Sequence, residues 1–166
     1  MKLGDGIEQA IHSVLMLAKL QPGGALPGAA LAEYHGVSAS YLLKHLQALT
    51  AAGILASISG PAGGYRLARA PETISLLDIV LAVEGPEPAF RCAEIRQRGP
   101  DPLPGPPSLP CEINAAMLRA ERLYRAELAK TSVADISGDV AGHDPAGQVA
   151  ARQCAFLERR ERRPSA

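Results

Sequence analysis

No apolar run in the chain approaches the roughly eighteen residues a membrane-spanning helix needs, and no signal peptide opens it. These absences predict a soluble, cytoplasmic protein with no membrane partner. Net charge is lacking too, since Lys plus Arg and Asp plus Glu both number 17. A neutral chain does not advertise nucleic acid, but the distribution of charge says more. Residues 1–70 hold five basic and three acidic groups, whereas 71–90 hold four acidic and no basic ones. Cysteine is scarce. Three cysteines, an odd number, without an export signal argue against a disulfide framework and raise metal ligation or redox chemistry instead. Catalytic motifs are missing: there is no G-x-S-x-G, no P-loop and no H-E-x-x-H. The glycine-rich Gly60–Gly64 stretch sits between short strands, not before a helix, so it is no phosphate cradle. The chain is therefore read as no enzyme.

What is present centres on residues 38–69, SASYLLKHLQALTAAGILASISGPAGGYRLAR. Ser38 suits a helix N-cap, and Leu42, Leu46 and Leu49 recur at helical spacing. Gly53 follows the last periodic residue and suits a left-handed helix end. Two β-rich runs, 54–59 and 65–67, flank a Gly-Pro-Ala-Gly-Gly break and read as a hairpin. A helix feeding a hairpin is the second half of a winged helix-turn-helix. The first half is legible upstream, where a short helix over 27–35 meets the Gly36-Val37 turn. The helix carries Ser38, Ser40, Tyr41, Lys44, His45 and Gln47 as candidates to face a DNA major groove. On the hairpin, Arg66 and Arg69 suit the flanking backbone or minor groove.

Residues 5–20 predict a first helix with Ile7, Ile11, Val14 and Ala18 as its buried stripe. Glu8 and His12 lie four apart on a neighbouring face. The pair reads two ways, as an exposed contact or as a carboxylate and an imidazole offered to a metal. Ser75 and Asp78 form a variant capping box for a largely apolar helix to about Glu84, expected to be buried. Residues 87–110 form a proline-rich loop containing Cys92, and Cys111 opens the next helix. That helix, to Lys130, carries Ile113, Met117, Ala120, Tyr124 and Leu128 at spacings of three and four. Its stripe needs a partner, and the simplest is its own copy in a two-fold homodimer. Residues 133–136 predict a short extra turn and 137–143 a mobile stretch. A last helix starts at Asp144-Pro145, with Ala146, Ala150, Cys154 and Leu157 on one face. Cys154 there is expected to pack as a small hydrophobe and not to ligate metal. The terminal ERRERR run reads as a solvated face.

Together the MKLGDGIEQAIH opening, SASYLLKHLQALTAAGIL, the wing GPAGGYRLAR, ISLLDIVLAVEG and FRCAEIRQRGP resemble the IscR/NsrR-type (Rrf2) family of bacterial winged-helix regulators. The resemblance runs from Met1 to about Ile136. It implies a dimeric transcription factor on promoter DNA. It also implies an iron–sulfur cluster in the loop before the dimerisation helix. The commonest family pattern has three closely spaced cysteines, whereas this loop offers only Cys92 and Cys111 with eighteen residues between them. Two thiolates do not complete a four-ligand [2Fe–2S] site. Some branches of the family ligate the cluster partly through first-helix residues of the other subunit, at positions that match Glu8 and His12 here.

The expected architecture is mainly α with a small β-hairpin wing. It comprises a winged helix-turn-helix over 1–85, a cysteine loop over 86–110, a dimerisation helix over 111–136 and a tail over 137–166. The expected function is a homodimeric regulator reading an inverted repeat in double-stranded promoter DNA. Its binding would be controlled by a [2Fe–2S] cluster sensing redox state, nitric oxide or iron supply. The competing readings are a Cys92–Cys111 thiol switch and an unregulated DNA-binding repressor.

Overall fold

The computed structural model describes residues 4–61, 63–102, 104–105, 107 and 111–163. Met1–Leu3 of the opening motif, Ala62 of the wing turn, and Pro106 and Pro110 of the proline run lie outside the described residues. Among the described residues, seven α-helices and one antiparallel two-stranded sheet follow in the order α1 (Asp5–Leu17), α2 (Gly28–His35), α3 (Ala39–Ala51), β1 (Leu55–Ile58), β2 (Gly64–Leu67), α4 (Leu76–Glu84), α5 (Glu112–Lys130), α6 (Val133–Gly142) and α7 (Gln148–Arg160). This is a mainly α winged helix-turn-helix with a long helix behind it. Among the described residues, no helix is long and apolar enough to cross a membrane.

The helix-turn-helix forms where the sequence places its stop and start signals. Gly36 ends α2 with φ +66°, a left-handed turn, and two residues later Ser38 stands at the N-cap position of α3, although its side chain makes no capping hydrogen bond and meets the Ser40 hydroxyl instead. Leu42, Leu46 and Leu49 of α3 are completely buried against Val14 and Met16 of α1, Leu31 of α2 and Ile54 and Leu55 at the wing's base. Ile79 of α4 joins the same core. The remaining apolar residues of α4 are half-buried, so the helix is less enclosed than its composition suggests.

The wing pairs Leu55 with Leu67 and Ile58 with Gly64. Its second strand also bridges the segment before α2, where the Leu26 and Tyr65 amides each donate to the other's carbonyl at 3.0 and 2.9 Å. Gly64 permits this approach, because a Cβ there would come within 2.6 Å of the Leu26 backbone.

Two capping boxes stand side by side. Ser75 and Asp78 cap α4, as the sequence predicts, while Ser132 and Asp135 cap α6. They are joined through the Leu76 amide donating to the Thr131 carbonyl at 2.9 Å and the Val133 amide donating to the Ile74 carbonyl at 2.8 Å. The second box explains a difference from the sequence reading. Residues 133–142 form one continuous helix in place of a short turn and a mobile stretch, despite Gly138 within it. First-turn donors satisfied by Ser132 and a buried Val133 offset the glycine's low helix propensity.

The tail also differs. Asp144 accepts from the Gln148 and Ala150 amides at 2.9 and 3.0 Å, and α7 begins at Gln148. Its buried residues are Phe156 and Leu157, whereas Cys154 is exposed and does not pack as a small hydrophobe. The arginine run is not merely solvated. Arg160 pairs with Glu33 at 2.7 Å, and Arg162 forms an antiparallel bridge with Ala25. The Arg162 guanidinium donates to the Pro61 and Gly63 carbonyls of the wing turn at 2.8 and 3.3 Å.

Candidate nucleic-acid interface and candidate metal centre

The start of α3 presents Ser38, Ser40, Tyr41, Lys44 and Gln47 on its exposed side, and Arg66 is exposed on β2. The Ser38 and Ser40 hydroxyls lie 3.0 Å apart, and Tyr41 is 45% exposed. These groups supply donors, acceptors and positive charge on a helix of the width a major groove admits.

His45 departs from this set, since it is only 7% exposed. Its ring stands edge-on to Tyr41 with centroids 4.7 Å apart, and a Cβ on Gly6 would approach its Cε1 to 2.4 Å. It is thus a packing residue between α3 and α1, not a residue free to reach a base. Burial, aided by the Lys44 charge, pushes its pKa below the usual imidazole value. Arg69 is engaged within the chain. It donates to the Thr73 carbonyl and pairs with Asp78 at 3.2 Å, bracing the end of the wing against the α4 cap. Its side chain remains exposed, so this tie sits at the edge of the face expected to meet DNA.

Behind the winged half, Cys92 and Cys111 come together as the loop closes. Their sulfurs and a Glu94 carboxylate oxygen all lie within 4.8 Å of one another. The Cys92 thiol donates to Glu94 at 3.3 Å. Glu94 has φ +46°, the one positive φ at a non-glycine residue among those described. Such a conformation is unfavourable for a residue with a Cβ, and it turns the carboxylate back toward both sulfurs. Arg96 holds Glu94 at 2.9 Å and lies 3.8 Å from Glu112.

The two thiols differ electrostatically. Cys111 precedes the first turn of α5, where the Asn114 and Ile113 amides and the Arg96 charge hold its pKa below the ordinary thiol value against some desolvation. The Glu94 amide favours the Cys92 thiolate, but donation to the Glu94 carboxylate, burial and the neighbouring Cys111 outweigh it and raise its pKa. Glu94 itself is held low by hydrogen bonds from Arg96 and Cys92. The loop enters on a second polar anchor. Buried Glu121 of α5 accepts from the Ala89 amide at 3.1 Å, while Arg125 donates to the Pro86 and Glu87 carbonyls at 3.0 Å.

Glu8 and His12 stay apart from this cluster within one chain. Among the described residues, Glu94 is the carboxylate grouped with the two sulfurs. Glu8 and His12 are exposed on α1 and line an open cleft with His35 and Val37. His35 stands 5.6 Å from His12 between ring centroids. Burial, then the His12 and Arg152 charges, lower its pKa to about 4.

Glu94 is the candidate site residue that the sequence reading does not single out. Its one cue was a position two residues from Cys92. The stripe on α5 divides. Tyr124 and Leu128 are half-buried, and Tyr124 lies against α4 residues of its own chain. Ile113, Met117 and Ala120 remain exposed, Ile113 by 65%.

Comparison with known proteins bears on this geometry. A family model described as Rrf2, iron-dependent transcriptional regulator, matches residues 3–139. YffB of Lactococcus lactis, assigned as an HTH-type transcriptional regulator, is 32% identical over 139 residues, covering 84% of this chain and 88% of YffB. The HTH-type transcriptional regulator IscR of Aliivibrio salmonicida is 36% identical over 92 residues, and there the match spans 55% of each chain. In fold, the chain resembles CymR, the global cysteine regulator of B. subtilis, with a TM-score of 0.64 at 22% identity over 83% of this chain and 97% of that one. It likewise resembles IscR of T. potens, with a TM-score of 0.63 at 21% identity over 84% and 88% of the two chains. A winged helix-turn-helix fold, a sequence match over most of its length and a long helix behind a cysteine loop agree on one assignment: the chain belongs to the Rrf2 family of transcriptional regulators.

Proposed function

We propose that this regulator binds double-stranded promoter DNA as a homodimer, and that a [2Fe–2S] cluster at Cys92 and Cys111 sets its affinity. The observation that carries the reading is the convergence of both sulfurs with the Glu94 carboxylate inside 4.8 Å. The donor set fits one iron of such a cluster: two thiolates at the ends of one loop, one of them favoured by a helix start. Glu8 and His12 of the partner subunit complete the four ligands, and their exposure on α1 leaves them free to reach another chain. His12 must offer a neutral nitrogen, so retention weakens in acid. When bound, the cluster supplies a charge and ligation state that responds to redox state, nitric oxide or iron supply. The exposed Ile113, Met117 and Ala120 stripe supports pairing with a second copy. Two-fold pairing sets two α3 helices about one DNA turn, or a multiple of it, apart on an inverted repeat.

The test is anaerobic reconstitution of the wild type and of Glu8→Ala, His12→Ala, Cys92→Ala, Cys111→Ala and Glu94→Ala, measuring iron, sulfide and promoter binding. Loss in both cysteine variants together with Glu8→Ala and His12→Ala supports the cross-subunit site. Loss with Glu94→Ala but retention in Glu8→Ala and His12→Ala moves the remaining ligation into one chain. Light scattering that reports a monomer, with DNA bound as a monomer, removes the dimer. On α3, Lys44→Ala should weaken all DNA sequences alike and lower the salt slope by about one.

The same thiol proximity favours a second reading, in which Cys92 and Cys111 oxidise to a disulfide, releasing two protons and two electrons to a cellular oxidant. A solved relative, CymR of Staphylococcus aureus in its oxidized form, is similar in fold, with a TM-score of 0.62 at 25% identity over 82% of this chain and 96% of that one. Wild type that takes up no iron or sulfide, yet changes DNA affinity reversibly with dithiol, selects this alternative.

A further inference from the structure

All of α7 lies beyond the stretch matched by the family model, which ends at residue 139. Between that helix and α1, α2 and α6 lies a cavity of about 340 Å³. Its volume falls in the range of small-molecule sites, at roughly 300–1,000 Å³. Its wall has one sign of charge. Lys19 and Arg152 line it, and no aspartate or glutamate does. Neither cation has a carboxylate partner among the described residues. Arg152 is held in place over the Tyr34 ring, 4.9 Å from its centroid. Two polar atoms in this wall also lack partners: Nε2 of His35 and Oε1 of Gln153 are buried without a hydrogen bond. A buried polar group left unpaired is costly, so these two atoms, beside two cations without a carboxylate partner among the described residues, are positions where a ligand's polar groups would be favoured.

We propose that this cavity binds a small organic carboxylate that carries a hydroxyl or amino donor. The carboxylate is taken by Lys19 and Arg152, the donor by Gln153 Oε1, and the body of the ligand by the Tyr34 ring and the leucine and valine side chains around it. The site borders the proposed cluster site at His12, which also lines the cavity, but none of the residues assigned to the ligand's groups is a cluster ligand.

The probe is 4-hydroxybenzoate, set against 4-hydroxybenzamide, which lacks the charge, and benzoate, which lacks the hydroxyl. Each is titrated into the 166-residue chain, both cluster-free and after anaerobic reconstitution, and followed by amide and side-chain NMR shifts. Saturable shifts at Lys19, Tyr34, Arg152 and Gln153 are expected with 4-hydroxybenzoate in both forms. The benzamide should bind about tenfold more weakly, because it forfeits the charge-assisted hydrogen bonds. Lys19→Gln and Arg152→Gln should each weaken binding about fivefold. Gln153→Leu should abolish the preference for 4-hydroxybenzoate over benzoate. No saturable shift at these residues, equal affinity for acid and amide, or affinity indifferent to both cation variants overturns the proposal. Because the cluster-free form is measured alongside, failure here and failure of cluster binding are separate results.

Discussion

The winged half and the cysteine loop are ordered by different forces. Leu42, Leu46 and Leu49 of α3 are completely buried, whereas among the described residues of 86–107 none is buried. The loop is held by polar ties instead: Glu121 to the Ala89 amide, Arg125 to two carbonyls, Arg96 to Glu94, and the Gln97 side chain to the Gly105 carbonyl at 3.0 Å. Aliphatic burial contributes most of a fold's stability, whereas exposed polar ties contribute little each and select geometry. The molecule therefore keeps its stability in one region and its thiol chemistry in another, and the chemistry can change without unfolding the reader.

The sharpest way to break that contrast is to cut both regions. Leu46→Ala should cost about 3–4 kcal/mol of unfolding free energy, the range for a fully buried leucine. Cys92→Ala should cost less than about 0.5 kcal/mol, as a substitution in an unburied loop. Urea melts decide it, and a Cys92→Ala melt displaced as far as that of Leu46→Ala would join the two regions into one.

A smaller effect is expected at the wing's seam. Gly64→Ala must push β2 away from Leu26, since the added Cβ meets backbone at 2.6 Å. The expected loss is about 1–3 kcal/mol, with faster hydrogen exchange at the Leu26 and Tyr65 amides. Exchange unchanged at both would mean that the bridge does not hold the wing.

Smaller again are the paired caps. Ser132→Ala should cost about 1 kcal/mol and fray α6 back toward the mobile stretch its sequence suggests.

The last contrast is in pH. Burial opposes the Asp78 charge, but hydrogen bonds from Ser75 and Arg69 outweigh it and lower its pKa, and the Ser132 hydroxyl and amide lower that of Asp135. A carboxylate held below its unfolded value stabilises the fold fully above that value, and the contribution is lost as pH falls through the depressed one. Acid should therefore loosen the starts of α4 and α6 below about pH 4, while the Leu-rich core is indifferent. Helix-start exchange rates followed from pH 6 to pH 3 measure this, and Asp78→Asn with Asp135→Asn should flatten the profile.

Much of this organisation was legible in the residues, because periodicity and punctuation are local. The α3 stripe, Gly36, the wing break and the Ser75–Asp78 box all act within a few residues of themselves. His45 reads by its type as a base contact, whereas its position on the helix places it in the core. It follows Leu42 by three and precedes Leu49 by four, so it sits on the buried stripe beside Gly6. Arg69 and Arg162 offer no such cue, and Glu94 offers only its place two residues from Cys92. Their partners lie across a turn, beside a sulfur brought from nineteen positions away, or in a wing far back along the chain, and no spacing rule reaches them.

The tie between Arg162 and the wing turn also has a consequence in time. The Pro61 and Gly63 carbonyls that receive its guanidinium precede it by 101 and 99 residues. At a synthesis rate of about 5–20 residues per second, the hairpin leaves the ribosome roughly 5–20 seconds before its clamp is made. During that interval the recognition helix and its leucines can already be packed, since α1, α2 and the base of the wing against which they lie have been made, while the wing turn waits with those acceptors open to water. A nascent chain thus passes through a stage in which it has a reading helix and a bridged wing whose turn is still unclamped.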